Sequence, residues 1–546
     1  MKIFTALFVF IIISQMVFAT NYHVSPTGSD KNTGTLQQPW KTIQKVNNTI
    51  FTSGDKILFQ AGATFKGNFI FNVKSTTDTK QPIIIGSYGK GRATIQVDTA
   101  NGMLFSNLGG IIVKDLIVRC ADITKNRGYG VKFINDKPGN ARLKFVRIEN
   151  VEASGFRWAG IYVGGIPTDL PKVDFIPGCR FGYNDVQITN CVAHDNMYYG
   201  IYLTASWNGQ SKEYGNENVI IRSCRVYNNT GDSTYTANHS GSGILLDDTD
   251  TGLIEHCVSY NNGALNAGKT GGPCGIWTHA SDRIVIQFCE AYANKTAGAA
   301  DGGGFDLDGG VTNSIIQYCY SHDNDGAGYL VWNWDGAPHE LAHNIIRYNI
   351  SSNDGRKHKY GAIHIGTSGL PVKNFQIYNN SIYMPESPGA QPKGIWTGGS
   401  KPNENILFYN NVIIIKGNVP LVESAPNQVG LVLQGNAYWQ TDGQFLVKYD
   451  GGDYTDFKNW QAATQQEMLD GKSVGVFKNP LVVKPENPET IGKTENLNQL
   501  KTFQLQANSP LRQAGVIISK SHLPAAKHNF WRKPLKTGVK PNIGAD

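Results

Sequence analysis

Along the middle of the chain one arrangement of apolar and polar positions returns again and again. A short alternating apolar run leads into a Cys or Asn, then a polar turn with Asn, a variable loop, and Gly-apolar-x-apolar. Successive copies read VQITNCVAHDN…YYGIYL, VIIRSCRVYNN…GSGILL, LIEHCVSYNN…PCGIWT, IVIQFCEAYAN…GGGFDL and SIIQYCYSHDN…GAGYLV. NIIRYNISSND…KYGAIHI and FQIYNNSIYM…PKGIWT continue the series. Cys191, Cys224, Cys257, Cys289 and Cys319 recur at spacings of 33, 33, 32 and 30 residues, and Asn349, Asn380 and Asn411 then take the same place. Asn196, Asn229, Asn262, Asn294 and Asn324 follow each Cys by five residues. Short strand-like runs at this period, with no amphipathic helix between them, predict one coil per repeat of a parallel β-helix. Equivalent residues then stack at strand spacing, about 4.8 Å, making the Asn column a hydrogen-bonded ladder and the Cys column a buried stack. Whether neighbouring thiols bridge is a matter of Cβ geometry that spacing does not reveal.

The flanks carry a resemblance. Residues 22–46, YHVSPTGSDKNTGTLQQPWKTIQKV, resemble the opening segment of many β-helix polysaccharide lyases and hydrolases, in which an N-terminal helix covers the end of the solenoid. That resemblance makes Thr42–Val46 the covering helix and residues 54–67 the first coil; NSPLRQAG (508–515) and PNIGAD (541–546) resemble the closing segment of the same pectate-lyase-like superfamily. The implied fold class is all-β, a right-handed parallel β-helix with an N-terminal capping helix and loop-rich C-terminal coils. The expected divisions are a signal peptide over 1–19, a cap and first coils over 20–105, site-bearing repeats over 106–436, and final coils, loops and closure over 437–546. Fold alone is weakly informative about reaction.

Composition narrows the setting. Lys2, an apolar stretch to Phe18 and the small Ala19 form a signal-peptide pattern, which predicts a secreted or periplasmic protein with no membrane association after cleavage. With 61 Gly and only 17% charged residues, the chain has the makeup of a turn-rich β protein. A net charge of +7 over 546 residues is too dilute to argue for nucleic acid. A monomer acting on a polysaccharide or oligosaccharide is the expectation. No P-loop, dinucleotide fingerprint, CxxC pair or HExxH occurs, which removes nucleotide, redox and zinc-protease chemistry.

Aligning the copies on Gly200, Gly243, Gly275, Gly304, Gly328, Gly361 and Gly394 sends the next residue inward and the second and fourth outward. The second-position column reads Tyr202, Leu245, Trp277, Asp306, Leu330, Ile363, Trp396; the fourth reads Thr204, Asp247, His279, Asp308, Trp332, Ile365, Gly398. Their middle holds the candidate catalytic residues Asp306, Asp308, Asp247 and His279. Asp306 and Asp308 have Cα atoms about 6.5–7 Å apart, and Asp247 and Asp308, two coils apart, about 9.6 Å. Glycosidases hold their two carboxyls about 5–5.5 Å apart when retaining and about 6.5–9.5 Å when inverting. Crowded acids split their pKa values, so that one stays protonated to release the leaving oxygen. Trp277, Trp332, Trp334, Trp396 and Tyr202 supply flat surface for stacking on sugar rings.

The segment DGGGFDLDGGVTNSIIQYCYSHDNDGAGYL (301–330) resembles a stretch of secreted bacterial β-helix proteins of glycan breakdown, among them galactosidases, xylosidases, fucosidases and lacto-N-biosidases. By that analogy Asp301, Asp323, Asp325 and Asp335 are further candidate acids, and the implied activity is a glycoside hydrolase without a cofactor. The alternative is a Ca²⁺-dependent polysaccharide lyase, with Asp247, Asp248 and Asp250 as metal ligands and Lys359, in Arg356-Lys357-His358-Lys359, as the base. A non-catalytic glycan-binding solenoid is the third reading.

Overall fold

The computed structural model describes residues 19–546 except 137–140, 166–180, 206–212, 429, 519–520 and 537. The expected signal segment, up to Phe18, lies outside the described residues. Most strands form three 14-stranded sheets, and through the repeats the neighbours in each are strands from successive coils rather than consecutive strands. One sheet contains the long strands such as Tyr183–Thr189, Asn216–Arg222 and Thr249–Glu255. A narrow sheet contains three-residue strands such as Val192–His194 and Arg225–Tyr227. The third, the cleft sheet, contains Tyr199–Thr204, Ser242–Asp247, Cys274–His279, Gly303–Asp308 and Tyr329–Asn333. Pairing between coils is parallel throughout the repeats, as the periodicity predicts.

Both sharp corners of a coil flank the narrow sheet, and each is made by one residue in the left-handed region. Asn190, Ser223, His256, Phe288 and Tyr318 turn the chain at φ between 52° and 57° just before each column Cys. Asp195, Asn228, Asn261, Ala293 and Asp323 do so at 52° to 57° just before each ladder Asn. Asn and Asp tolerate this conformation and Phe or Tyr do not readily, so the bulky corner residues need compensation. Phe288 finds it by stacking on His256 and Tyr318, at 5.2 and 5.1 Å.

The two columns form as expected. Asn196, Asn229, Asn262 and Asn294 each donate from Nδ2 to the next Asn at 2.9–3.0 Å, and Asn324 donates to Asp354 at 2.8 Å. The column thiols are buried, unbridged, and set against carbonyl oxygens of the preceding coil, such as Ile148 and Ile188 at 3.4 and 3.5 Å. Burial pushes the thiols of Cys191, Cys224, Cys257 and Cys289 well up, so they act as small apolar residues. Inward side chains run as one core from Val24 to Val447. Each Leu, Ile or Phe in it contributes about 1.5–3 kcal/mol.

The first turn is closed by the helix Ile43–Asn47, whose N-cap Thr42 accepts from the Lys45 N–H at 3.2 Å and whose Ile43 and Val46 are buried in the core. The last turn is closed by the helix Phe457–Thr464, with Trp460 wholly buried. Beyond it the strand Val476–Phe477 still pairs with Ala437–Gln440 before the regular coils give way to loops. The described residues of 480–546 run back over the narrow sheet, where Leu500, Phe503, Leu511, Phe530 and Ile543 pack on Tyr320, Ile350, Tyr383 and Val412. Glu290 anchors this strap by accepting from the N–H groups of Ile491 and Gly492 at 2.7 and 2.5 Å, and Arg347 donates to the Pro524 carbonyl at 2.7 Å. No helix among the described residues is long and apolar enough to cross a membrane.

Candidate active site

A cleft of about 1080 Å³ opens on the outer face of the cleft sheet, lined from Tyr199 and Tyr202 at one end to Trp396 and Glu423 at the other. The strands place its floor. Trp277 lies opposite Asp306, Asp306 opposite Leu330, and Asp308 opposite Trp332. Loops 237–239, 270–272 and 358–360 form its walls.

Of the five carboxyls lining this space, Asp301, Asp306 and Asp308 act on one another. Asp306 is 3% exposed, its Oδ1 has no hydrogen-bond partner among the described residues, and its Oδ2 has only the Cys274 thiol, at 4.0 Å. Burial, and then the negative charges of Asp308 and Asp301, push its pKa well up. Asp308 is half-buried and accepts the Gly309 N–H at 2.8 Å. Burial raises it to about 6, against the pull of the nearby His279 and that N–H. Asp301 accepts from the Tyr360 hydroxyl at 2.8 Å and the Gly272 N–H at 2.7 Å; burial still leaves it above the usual carboxylate value. The arrangement favours the protonated form of Asp306 beside Asp308, an ionisable neighbour on the same strand.

His279 sits beside the acids. Its Nδ1 meets Asp247 Oδ1 at 3.0 Å, and the Trp334 indole N–H is 3.2 Å from its Nε2. Burial works against the imidazolium, but the Asp247 carboxylate holds its pKa above the ordinary value. Asp247 is itself wholly buried and accepts the Thr204 hydroxyl at 2.7 Å. It therefore cannot meet a substrate as an outward acid would; it positions His279. The three ligands of the metal alternative also part company. Asp248 accepts the Gly215 N–H at 3.0 Å, and Asp250 pairs with Arg283 on the long sheet. Of the further acids, Asp335 lines the cleft, Asp323 bonds His322 on the narrow sheet, and Asp325 binds the Thr296 N–H.

The aromatic residues divide. Trp332, Trp334 and Trp396 are partly exposed in the cleft, whereas Trp277 and Tyr202 are 4% and 2% exposed and present only an edge to it. Trp277 keeps an unpartnered indole N–H, packed against His239 at 5.1 Å, whose own Nδ1 is unpartnered among the described residues. Burial, and then His279, lower His239 to about 4, so it is neutral at pH 7.

One register assignment is corrected. Tyr329 pairs with Ile363, and Ile363 with Ile395, so Ile363 rather than Ala362 points inward. The outward residue of that coil is therefore His364, between Leu330 and Trp396, and Gly366 replaces Ile365 in the fourth column. His364 stacks on Trp396 at 4.1 Å with Trp332 at 6.1 Å. Alignment on Gly361 misses it; alignment on the inward Ile would find it. Tyr360, His239 and Lys393 also escape the sequence pattern, because they lie on loops or at strand starts outside the aligned columns.

Residues 88–413, more than half of the chain, match the family described as right handed beta helix region. A lacto-N-biosidase of Bifidobacterium longum subsp. longum is 23% identical over 613 aligned residues, which cover 96% of this chain and 36% of that protein. Pectate lyase L of Thermoclostridium stercorarium is 25% identical over 358 residues, covering 62% of this chain and 26% of that protein. This chain thus spans only about a third and a quarter of the lengths of those relatives. Among solved structures, the GH136 lacto-N-biosidase of Eubacterium ramulus aligns at 19% identity and TM-score 0.49, over 77% of this chain and 68% of that one. Inward columns, parallel coils and the family match agree, and the chain belongs to the right-handed parallel β-helix family.

Proposed function

We propose that this protein is a carbohydrate-active enzyme that hydrolyses glycosidic bonds of a polysaccharide or oligosaccharide through the carboxyls of Asp306 and Asp308. The observation that carries the reading is the buried, unpaired Asp306 oxygen beside Asp308 on the floor of an aromatic-rimmed cleft. Names borne by the relatives, a lacto-N-biosidase and a pectate lyase, support action on glycans.

In the proposed reaction Asp306, kept protonated by its surroundings, donates its proton to the leaving glycosidic oxygen as the bond to the anomeric carbon breaks. Asp308, ionised above about pH 6, takes a proton from the attacking water or itself attacks that carbon. His279, oriented by Asp247 and Trp334, favours the Asp308 carboxylate, and Trp332, Trp334 and Trp396 stack on the sugars. No metal is needed for this chemistry. Export through the segment 1–19 belongs to the same reading and is checked by the N-terminal residue of the mature chain.

The test is turnover on a glycan panel followed by mass spectrometry. Asp306→Asn and Asp308→Asn should fold, bind, and turn over about 10²–10⁴ more slowly, with hydrolysed rather than unsaturated products. Activity should rise with pH through about 6 as Asp308 ionises, and fall again when Asp306 loses its proton. Normal turnover in both variants would move the chemistry to Asp301. Unsaturated products would favour the lyase, for which Lys359 and Lys393 in the cleft wall are the observation in support.

A further inference from the structure

The end of the cleft away from Tyr199 differs in charge from its floor. Lys393 begins the strand Lys393–Gly399, lines the cleft, and is 3% exposed. Its Nζ donates to the Gln391 carbonyl at 2.9 Å and faces Glu423 at 3.8 Å, a separation too long for a direct hydrogen bond. Lys359 on the cleft wall and Lys448, in register with Glu423, are its like-charged neighbours. Lys393 thus has two further ammonium groups and one carboxylate as charged neighbours, a group of four whose charges sum to +2. Burial, opposed by Glu423 and reinforced by Lys359 and Lys448, lowers the Lys393 pKa.

Such crowding is unfavourable in the empty cleft and is relieved by an incoming anion. The surroundings suit a sugar-borne one. His364 and Trp396 form a stacked pair beside the lysines, and burial keeps His364 neutral, at about 3. His358 Nε2, buried in the adjoining wall, has no hydrogen-bond partner among the described residues. Lys393 shares a coil with Trp396, three coils beyond Asp306, which places the cluster about 14 Å along the solenoid from the acids. That distance puts it beyond the sugar being cleaved.

We propose that Lys359 and Lys393, with the charge of Lys448 behind them, form an anion subsite at the end of the cleft, which selects glycans bearing a carboxylate or sulfate group several sugars from the scissile bond. The proposal rests on the glycan-processing reading and names its substrate class. Carboxylate and sulfate share the chemistry of an oxyanion held by ammonium donors.

The experiment measures binding of the full-length protein to an array of glycans in matched neutral, carboxylated and sulfated forms, at low and high salt. The wild-type protein should prefer one charged form over its neutral partner, and that preference should shrink with salt. The carboxylated and sulfated arms identify the group. Lys359→Met, at an exposed position that folding tolerates, should reduce the preference by about 2- to 5-fold. Lys393→Met should reduce it by about 10-fold or more, with binding of neutral glycans unchanged in both. Asp308→Asn should keep the preference while losing turnover, which separates the two readings. Normal turnover by that variant with the preference intact would sink the catalytic assignment alone. Equal binding of neutral and charged partners by the wild type, or a preference undiminished in Lys359→Met, would overturn the subsite.

Discussion

Replacing Asp308 by Asn should make the protein more stable at neutral pH while disabling it. In the folded chain the Asp308 carboxyl titrates at about 6, against 3.8 for an unperturbed one. The shift of about two pH units amounts to a penalty of about 3 kcal/mol on the ionised, folded form. The folded state binds this proton more tightly than the unfolded state does. The penalty is therefore absent below about pH 4, where both states are protonated, grows between about pH 4 and 6, and is complete above. Asn is neutral, nearly the same shape, and its carbonyl oxygen still accepts the Gly309 N–H. It gives up the attraction between Asp308 and His279, although Asp247 continues to hold the imidazole. The net gain should be about 1–2 kcal/mol, or about 1–2 °C in Tm for a chain of this length. Scanning calorimetry of both proteins at about pH 4 and about pH 7.5 measures it. The variant should match the wild type at the lower pH and exceed it at the higher. A variant less stable by the same amount at both would show that the carboxylate is comfortable where it sits, and the argument for a protonated partner would lose its footing.

Chelation gives a second check: EDTA should leave turnover nearly intact, because two carboxyls suffice, whereas complete loss restored by Ca²⁺ would revive the lyase. Asn262→Ala should lower stability by about 1–3 kcal/mol, read by urea denaturation. Its amide both donates to Asn294 and accepts from Asn229, and the substitution strands a buried group on each side. A loss below a few tenths of a kcal/mol would mean the ladder is decorative. Asp247→Asn should move the acidic limb of the pH–rate profile upward, because His279 would lose the carboxylate that raises its pKa and would favour the Asp308 carboxylate less. An unmoved limb would separate Asp247 from the chemistry.

The coil architecture was legible in the chain because a solenoid contacts mainly its own repeats. Every Cys191-like and Asn196-like position meets its own equivalent, so the period of the sequence is the register of the structure. Strand alternation likewise puts Asp306, Asp308, Trp332 and Trp396 on one face. Periodicity misleads where a coil changes length. An extra residue after Gly361 shifts the register by one, which exchanges inward for outward and hides His364. Other features depend on segments far apart in sequence. Only tertiary structure shows that Asp247 is sealed beneath Thr204 and His279, or that Tyr360 reaches Asp301 across 59 residues. The strap from 480 to 546 is of the same kind, since its hold on Glu290 spans about two hundred positions with no repeat to announce it. Periodicity determines which residues stack; burial, and with it which carboxyl keeps its proton, is decided by the loops that close over the stack.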